Sequence, residues 1–171
     1  MFHVVTGGSG SGKSAFAEQC ILDCQGNKRI YIATMYPFDE ESHRRIARHR
    51  AMRAEKKFTT IERYTDLEHL TIPQGADVLL ECMSNLTANE IYRPDGAGER
   101  TVDRIVDGVQ ELCGRCEHVV IVTNEVCSEC TRDSADMNRY KKILSEVNRR
   151  LAQKADWVTE VVYGIPVEVK R

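Results

Sequence analysis

The sequence has no apolar run approaching the roughly 20 residues of a membrane-spanning helix. A helical span is therefore not expected. It also lacks an excess of either charge. Lys and Arg number 24 against 26 Asp and Glu, a net charge of −2. No large basic field advertises nucleic acid. The first residues run straight into a strand pattern, without the basic and apolar regions of a secretory signal. No internal repeat and no low-complexity tract interrupts the chain. These absences make the expected location cytoplasmic, with the seven cysteines as reduced thiols. A chain of 171 residues is expected to form one domain over 1–171 with a substantial core.

What is present is organised around Gly7, Gly8, Ser9, Gly10, Ser11, Gly12, Lys13 and Ser14. This run fits the G-x-x-x-x-G-K-[ST] phosphate loop. The apolar run Phe2–Thr6 precedes it and a helical pattern from Ala15 to Ile21 comes after it. Strand, glycine loop and helix is the context that the motif needs. Glycine lets the loop amides curl inward without a Cβ clash. The helix points its N-terminal dipole at the same spot. Lys13 is placed to reach the β and γ phosphates, and the Ser14 hydroxyl to ligate Mg2+.

Further strand patterns run through Arg29–Thr34, Phe58–Glu62, Asp77–Cys82 and His118–Thr123. Between Asp39 and Lys57 lies an arginine-rich helical stretch, with Asp39 a plausible N-cap. It has few apolar positions, so it lies on the surface or over a ligand. Leu67 and Leu70 suggest a short helix before Pro73. Ser84–Tyr92, Thr101–Cys113 and a long segment around Tyr140–Leu151 carry helical spacing. Trp157–Tyr163 and Val167–Val169 read as a closing hairpin around Gly164-Ile165-Pro166. Alternating strands and helices give an α/β class with a mostly parallel sheet. Thr34, Glu62, Glu81, Asn124 and Glu125 all end strands. In a parallel sheet they share the carboxyl edge with Lys13, where ligands bind. Glu81 ends its strand in the manner of a Walker B acid. It either holds a magnesium-bound water or takes the proton of an acceptor hydroxyl.

Two C-x-x-C pairs, Cys113/Cys116 and Cys127/Cys130, raise the possibility of zinc. The strand between them spans roughly 20 Å, too far for one tetrahedral ion. Cys20 and Cys24 share a face of the first helix and read as core.

Several runs, taken in order, resemble one enzyme family. They are the phosphate loop from residue 7, Tyr31-Ile32-Ala33-Thr34, the stretch Arg44–Arg50, and Thr60-Ile61-Glu62. Leu79-Leu80-Glu81-Cys82, Val122-Thr123-Asn124-Glu125-Val126 and Val147–Ala152 complete the set. Together they resemble the bifunctional adenosylcobinamide kinase / adenosylcobinamide-phosphate guanylyltransferase of cobalamin synthesis, over nearly the whole chain. The resemblance implies a RecA-like P-loop NTPase fold, three-layered, with a C-terminal hairpin. It implies phosphorylation of the aminopropanol hydroxyl of adenosylcobinamide, with GTP or ATP as donor and Mg2+ as cofactor. Transfer of GMP from GTP onto that phosphate comes next, with the GMP first carried on a histidine. His49 matches that histidine; His43 competes with it. Lys13 and Glu81 are the other expected catalytic residues, with Ser14 and Glu81 toward the metal. Thr34, Arg50, Arg53, Glu62 and Glu81 join the phosphate loop around the nucleotide. A homotrimer is implied as well.

The chain departs from the family pattern at Gly10, where arginine is common. It departs again at Cys127–Asp133, in place of a glycine-rich segment, and at Lys141–Ser145. These segments are expected to face the acceptor. Two other readings stay open on the amino-acid sequence alone. One is a P-loop kinase of another small alcohol, with His49 unused. The other is a RecA-like ATPase or interaction module.

Overall fold

The computed structural model describes residues 1–24, 26, 28–37, 40, 43, 44, 46, 47, 50, 51, 55–126 and 134–171. The strands are β1 (Phe2–Thr6), β2 (Arg29–Ala33), β3 (Phe58–Glu62), β4 (Asp77–Glu81), β5 (His118–Val122), β6 (Trp157–Val162) and β7 (Ile165–Lys170). They form one seven-stranded sheet in the order β3-β2-β4-β5-β1-β6-β7. All neighbours pair in parallel except β6 and β7. The helices are α1 (Lys13–Asp23), α2 (Met83–Tyr92), α3 (Thr101–Arg115) and α4 (Ala135–Lys154). A short 3-10 helix covers Leu67–His69. The described residues among 40–51 outside these elements are helical. Glu55–Lys57 form a turn, so this stretch stops short of Lys57.

The layers arise from the two-residue period of a strand. Val5, Leu79 and Val120 face one side and pack with Ala17 and Ile21 of α1. Their neighbours Val4, Leu80 and Ile121 face the other side. There they meet Leu86 of α2, Ile105 of α3 and Leu144, Val147 and Leu151 of α4. The result is a three-layer sandwich with helices on both faces. Burial on both faces explains why the central strands read as continuous apolar runs. A register slip of one residue would exchange the two apolar sets.

Strand β5 stands between β1 and β4, so the phosphate-loop strand does not touch the strand that ends in Glu81. That is the RecA-like arrangement of a P-loop fold. β1 feeds α1 on one face, whereas α4, after β5, packs on the other. The diverging connections open a crevice at the carboxyl edge between these two strands.

The structure corrects two further expectations. The hairpin turn is Tyr163-Gly164, with φ of 50° and 79°. Positive φ at both central residues is the two-residue turn that suits the twist of a hairpin. Ile165 and Pro166 already pair with Val162 and Val161. Proline is tolerated there because β7 is an edge strand. Cys24 is not on the first helix. It is the C-cap, in extended conformation, and its side chain belongs elsewhere. Cys20 does pack on the α1-side core.

Gly108, inside α3, marks a tight approach. A Cβ there would stand 2.7 Å from Leu67 Cβ and 3.0 Å from Glu68 N. Alanine would gain about 1 kcal/mol of helix propensity. Overpacking against backbone costs about 1–3 kcal/mol and wins. Gly108→Ala is therefore expected to destabilise by about 1 kcal/mol. A raised midpoint in urea unfolding would show that the 67–69 segment yields.

Candidate functional site

Strand β1 ends at Thr6 and the chain turns through six residues before α1. Gly7, Gly10 and Gly12 take φ of 152°, 70° and 91°. At Gly7 a Cβ would lie 2.6 Å from Val161 O and 2.7 Å from Ser11 Oγ. The loop can pass the end of β6 only with glycine there. Ser11 N donates to Gly8 O at 3.3 Å, and Gly164 N donates to Ser11 O at 2.8 Å. The β6–β7 turn thus braces the loop.

Lys13 opens α1 and is only 8% exposed. Its Nζ donates to Gly8 O at 2.9 Å, which folds the ammonium back over the loop. Ser14 Oγ donates to Glu81 Oε1 at 2.6 Å, and Tyr31 OH donates to Glu81 Oε2 at 2.7 Å. Glu81 therefore ties α1 to β2 from the end of β4. Oxygen of a hydroxyl beside oxygen of a carboxylate is the donor chemistry that Mg2+ takes.

Thr34 holds the next layer. Its Oγ1 donates to Cys82 O and accepts from Cys82 N, each at 2.8 Å. Asn89 Nδ2 donates to Thr34 O at 2.8 Å. Asn124 Nδ2 donates to Ser84 Oγ at 2.6 Å. Tyr140 OH donates to Ser84 O at 3.2 Å. Burial pushes the Tyr140 hydroxyl up to about 12, so it remains a donor at neutral pH. Thr34 and Asn124 are thus bracing groups for the edge.

Arg50 pairs with Glu62 at the end of β3, and Tyr64 OH donates to the other Glu62 oxygen at 3.0 Å. Tyr36 and Tyr64 meet edge to face at 5.1 Å, with Arg93 stacked 4.1 Å over Tyr36. Guanidinium on an aromatic face is a favourable contact. Asp95 Oδ1 accepts from Arg93 Nε at 2.9 Å.

The sequence-predicted set is therefore partly assembled. Lys13, Ser14, Glu81, Thr34, Asn124 and Glu62 stand at the carboxyl edge of one parallel sheet, and Arg50 is held there by Glu62. His49 and Arg53 lie outside the described residues, as do Asp39, Cys127 and Cys130. His43 is helical and exposed. Cys113 and Cys116 precede β5 as expected. Sequence reasoning missed Tyr31, Ser84, Tyr140 and the Tyr36–Tyr64–Arg93 stack. A tyrosine on a buried strand carries no mark that separates a core ring from a carboxylate partner. Only the register Ala33↔Glu81 puts Tyr31 within reach.

Residues 3–169 match the family described as cobinamide kinase / cobinamide phosphate guanyltransferase. The bifunctional adenosylcobalamin biosynthesis protein CobU of Escherichia coli (strain K12) is 35% identical, over 99% of this chain and 100% of that one. Its counterpart in Salmonella typhimurium is 34% identical over the same shares. The protein CobP of Pseudomonas aeruginosa is 29% identical, over 99% of this chain and 98% of that one. Among solved structures, a KaiC-like protein from Pyrococcus horikoshii OT3 overlaps 93% of this chain and 71% of that one. The TM-score is 0.49 and the identity 14%.

Replacing Tyr31 by Phe removes one donor from the half-buried Glu81 carboxylate. Tyr31→Phe is expected to lower folding stability by about 1–2 kcal/mol. Phosphate-loop contacts stay intact, so nucleotide affinity should change by less than about tenfold. Chemical unfolding and nucleotide titration measure the two. Unchanged stability would mean that water replaces the phenol.

Proposed function

The chain belongs to the cobinamide kinase / cobinamide phosphate guanyltransferase family, and we propose that it performs both reactions at this edge of the sheet. It phosphorylates adenosylcobinamide, then transfers GMP from GTP to the new phosphate, giving adenosylcobinamide-GDP and pyrophosphate. The observation that carries the reading is the Lys13–Ser14–Glu81 arrangement at the sheet crevice. It occurs in a chain that matches the family almost end to end.

In the kinase step the glycine loop and the N-terminus of α1 receive the phosphates. Lys13 leaves Gly8 O for the β and γ oxygens and offsets charge as the γ-phosphoryl moves. Ser14 and Glu81 are the residues that would hold Mg2+, which supplies charge neutralisation to the phosphates. A Glu81 oxygen not engaged there accepts the proton of the acceptor hydroxyl.

In the transferase step His49 is the guanylyl carrier, as the family resemblance implies. A neutral imidazole nitrogen attacks the α-phosphorus of GTP, forms an N–P bond, and breaks the bond to pyrophosphate. An oxygen of the acceptor phosphate then attacks the same phosphorus and returns the imidazole. Arg50, the next residue in sequence, is held at the end of β3 by Glu62, which supports this assignment over His43. Arg50 and Arg53 complement phosphate charge. Donor choice in the kinase step, ATP or GTP, is set away from the phosphates, which are the same in both.

The homotrimer and the cytoplasmic location belong to the same reading. Exposed apolar side chains on the hairpin, among them Tyr163, Ile165 and Val169, support self-association. Sedimentation at micromolar concentration is expected to give three chains per particle; a monomer would rule the trimer out.

The decisive measurement uses GTP labelled on the α-phosphate, with Mg2+ and no acceptor. Acid-labile, base-stable label is expected on wild-type protein and on His43→Ala, and none on His49→Ala. Label retained in His49→Ala would remove His49 as carrier. Lys13→Ala is expected to lower both activities by at least about 100-fold, in line with losing a charged phosphate contact of about 3 kcal/mol.

A further inference from the structure

The amino edge of the sheet, opposite the crevice, holds a second cluster. Cys24, Asp77 and His118 each offer one ligand atom, and these atoms lie within 4.8 Å of one another. They come from three elements: the cap of α1, the first residue of β4 and the first residue of β5. Asp77 is fully buried. Its Oδ1 lies 2.8 Å from His118 Nδ1. Its Oδ2 is buried and has no hydrogen-bond partner among the described residues. That oxygen faces the turn after α1, since a Cβ on Gly26 would stand 1.9 Å from it.

An orphaned carboxylate oxygen in the interior is costly. The obvious partner does not serve it. Arg29 sits opposite Asp77 in register but donates to Leu22 O, at 3.3 Å. Asp77 instead stands with one oxygen toward the histidine and the other toward the segment that carries the cysteine. Sulfur, imidazole nitrogen and carboxylate oxygen together are a zinc-type donor set. Tetrahedral ligands around such an ion stand roughly 3–4 Å apart. To reach that spacing the Asp77–His118 contact, now 2.8 Å, opens while the more distant ligand atoms close in.

We propose that Cys24, Asp77 and His118 form a structural binding site for a divalent transition ion of the zinc class. The site clips the end of α1 to the starts of β4 and β5, and a water molecule completes the tetrahedron. Thiolate and carboxylate balance the two charges of the ion. Binding moves one proton from the Cys24 thiol to solvent and changes no oxidation state. Cys24 Sγ donates to Cys20 O at 3.2 Å. Burial, and then the charge of Asp77, push its thiol upward. The site is separate from the nucleotide crevice and does not rest on the catalytic reading.

The test titrates the full, reduced chain, stripped by a chelator, with Co2+ and then Zn2+. One equivalent of Co2+ is expected, with a thiolate-to-metal charge-transfer band and the visible bands of tetrahedral cobalt. Zn2+ should displace it and raise the melting temperature. Cys24→Ser should abolish the charge-transfer band while circular dichroism shows a folded chain. Asp77→Asn and His118→Gln should each weaken binding at least about tenfold. The double variant Cys127→Ser, Cys130→Ser should bind as wild type. No cobalt bands, bands that survive Cys24→Ser, or bands lost in the Cys127/Cys130 variant would each overturn the proposal.

Discussion

The carboxylate of Glu81 is the contact on which the nucleotide edge depends. It ends β4, yet it receives Ser14 from α1 and Tyr31 from β2. β4 and β1 are not neighbours, since β5 lies between them. A side chain must therefore bridge the gap that backbone pairing leaves. Hydrogen bonds to a charged group are among the stronger single contacts, about 1.5–3 kcal/mol each. Their value here is positional. They set the first turn of α1, and hence Lys13, against the end of the strand that carries the acid.

The rest of the crevice is built to leave that contact undisturbed. The loop is braced from behind by Gly164 N on Ser11 O and by the close pass of Gly7 at Val161 O. Thr34, Asn89, Asn124, Ser84 and Tyr140 link the ends of β2 and β5 with α2 and α4 through hydrogen bonds. These groups bond to one another or to the backbone of the edge. Ser14 and Lys13 stand in front of this bracing, on Glu81 and on Gly8 O.

Legibility differs by residue for physical reasons. The phosphate loop is readable because its demands are local: glycine where φ is positive or a Cβ would clash, then Lys and Ser at the helix start. The strands are readable because burial on both faces makes them continuously apolar. β3 agrees with its sequence pattern to the residue, and β2, β4 and β5 to within one. The hairpin is legible in kind but not in its turn, because Gly164-Ile165-Pro166 carries stronger turn signals than Tyr163-Gly164. Cys24 reads as part of a helix face because the stop signal, Gly26-Asn27, comes two residues after it, whereas α1 already ends at Asp23. The partners of Glu81 and Asp77 are not legible, because they come from distant parts of the chain. Tyr31 is 50 positions from Glu81, and His118 is 41 from Asp77.

By itself the amino-acid sequence determined the element types, the P-loop chemistry and the family, because each is written in short-range spacing or in motif order. Only the tertiary structure decided which strand lies beside which, and with it the company each acid keeps. Strand order is a long-range choice among arrangements that bury similar apolar area, so local patterns cannot rank them. The parallel register Ala33↔Glu81 delivers Tyr31 to Glu81. The register Asp77↔His118 delivers the second cluster at the opposite edge. Both pairings arise from one sheet, and neither exists until it is assembled.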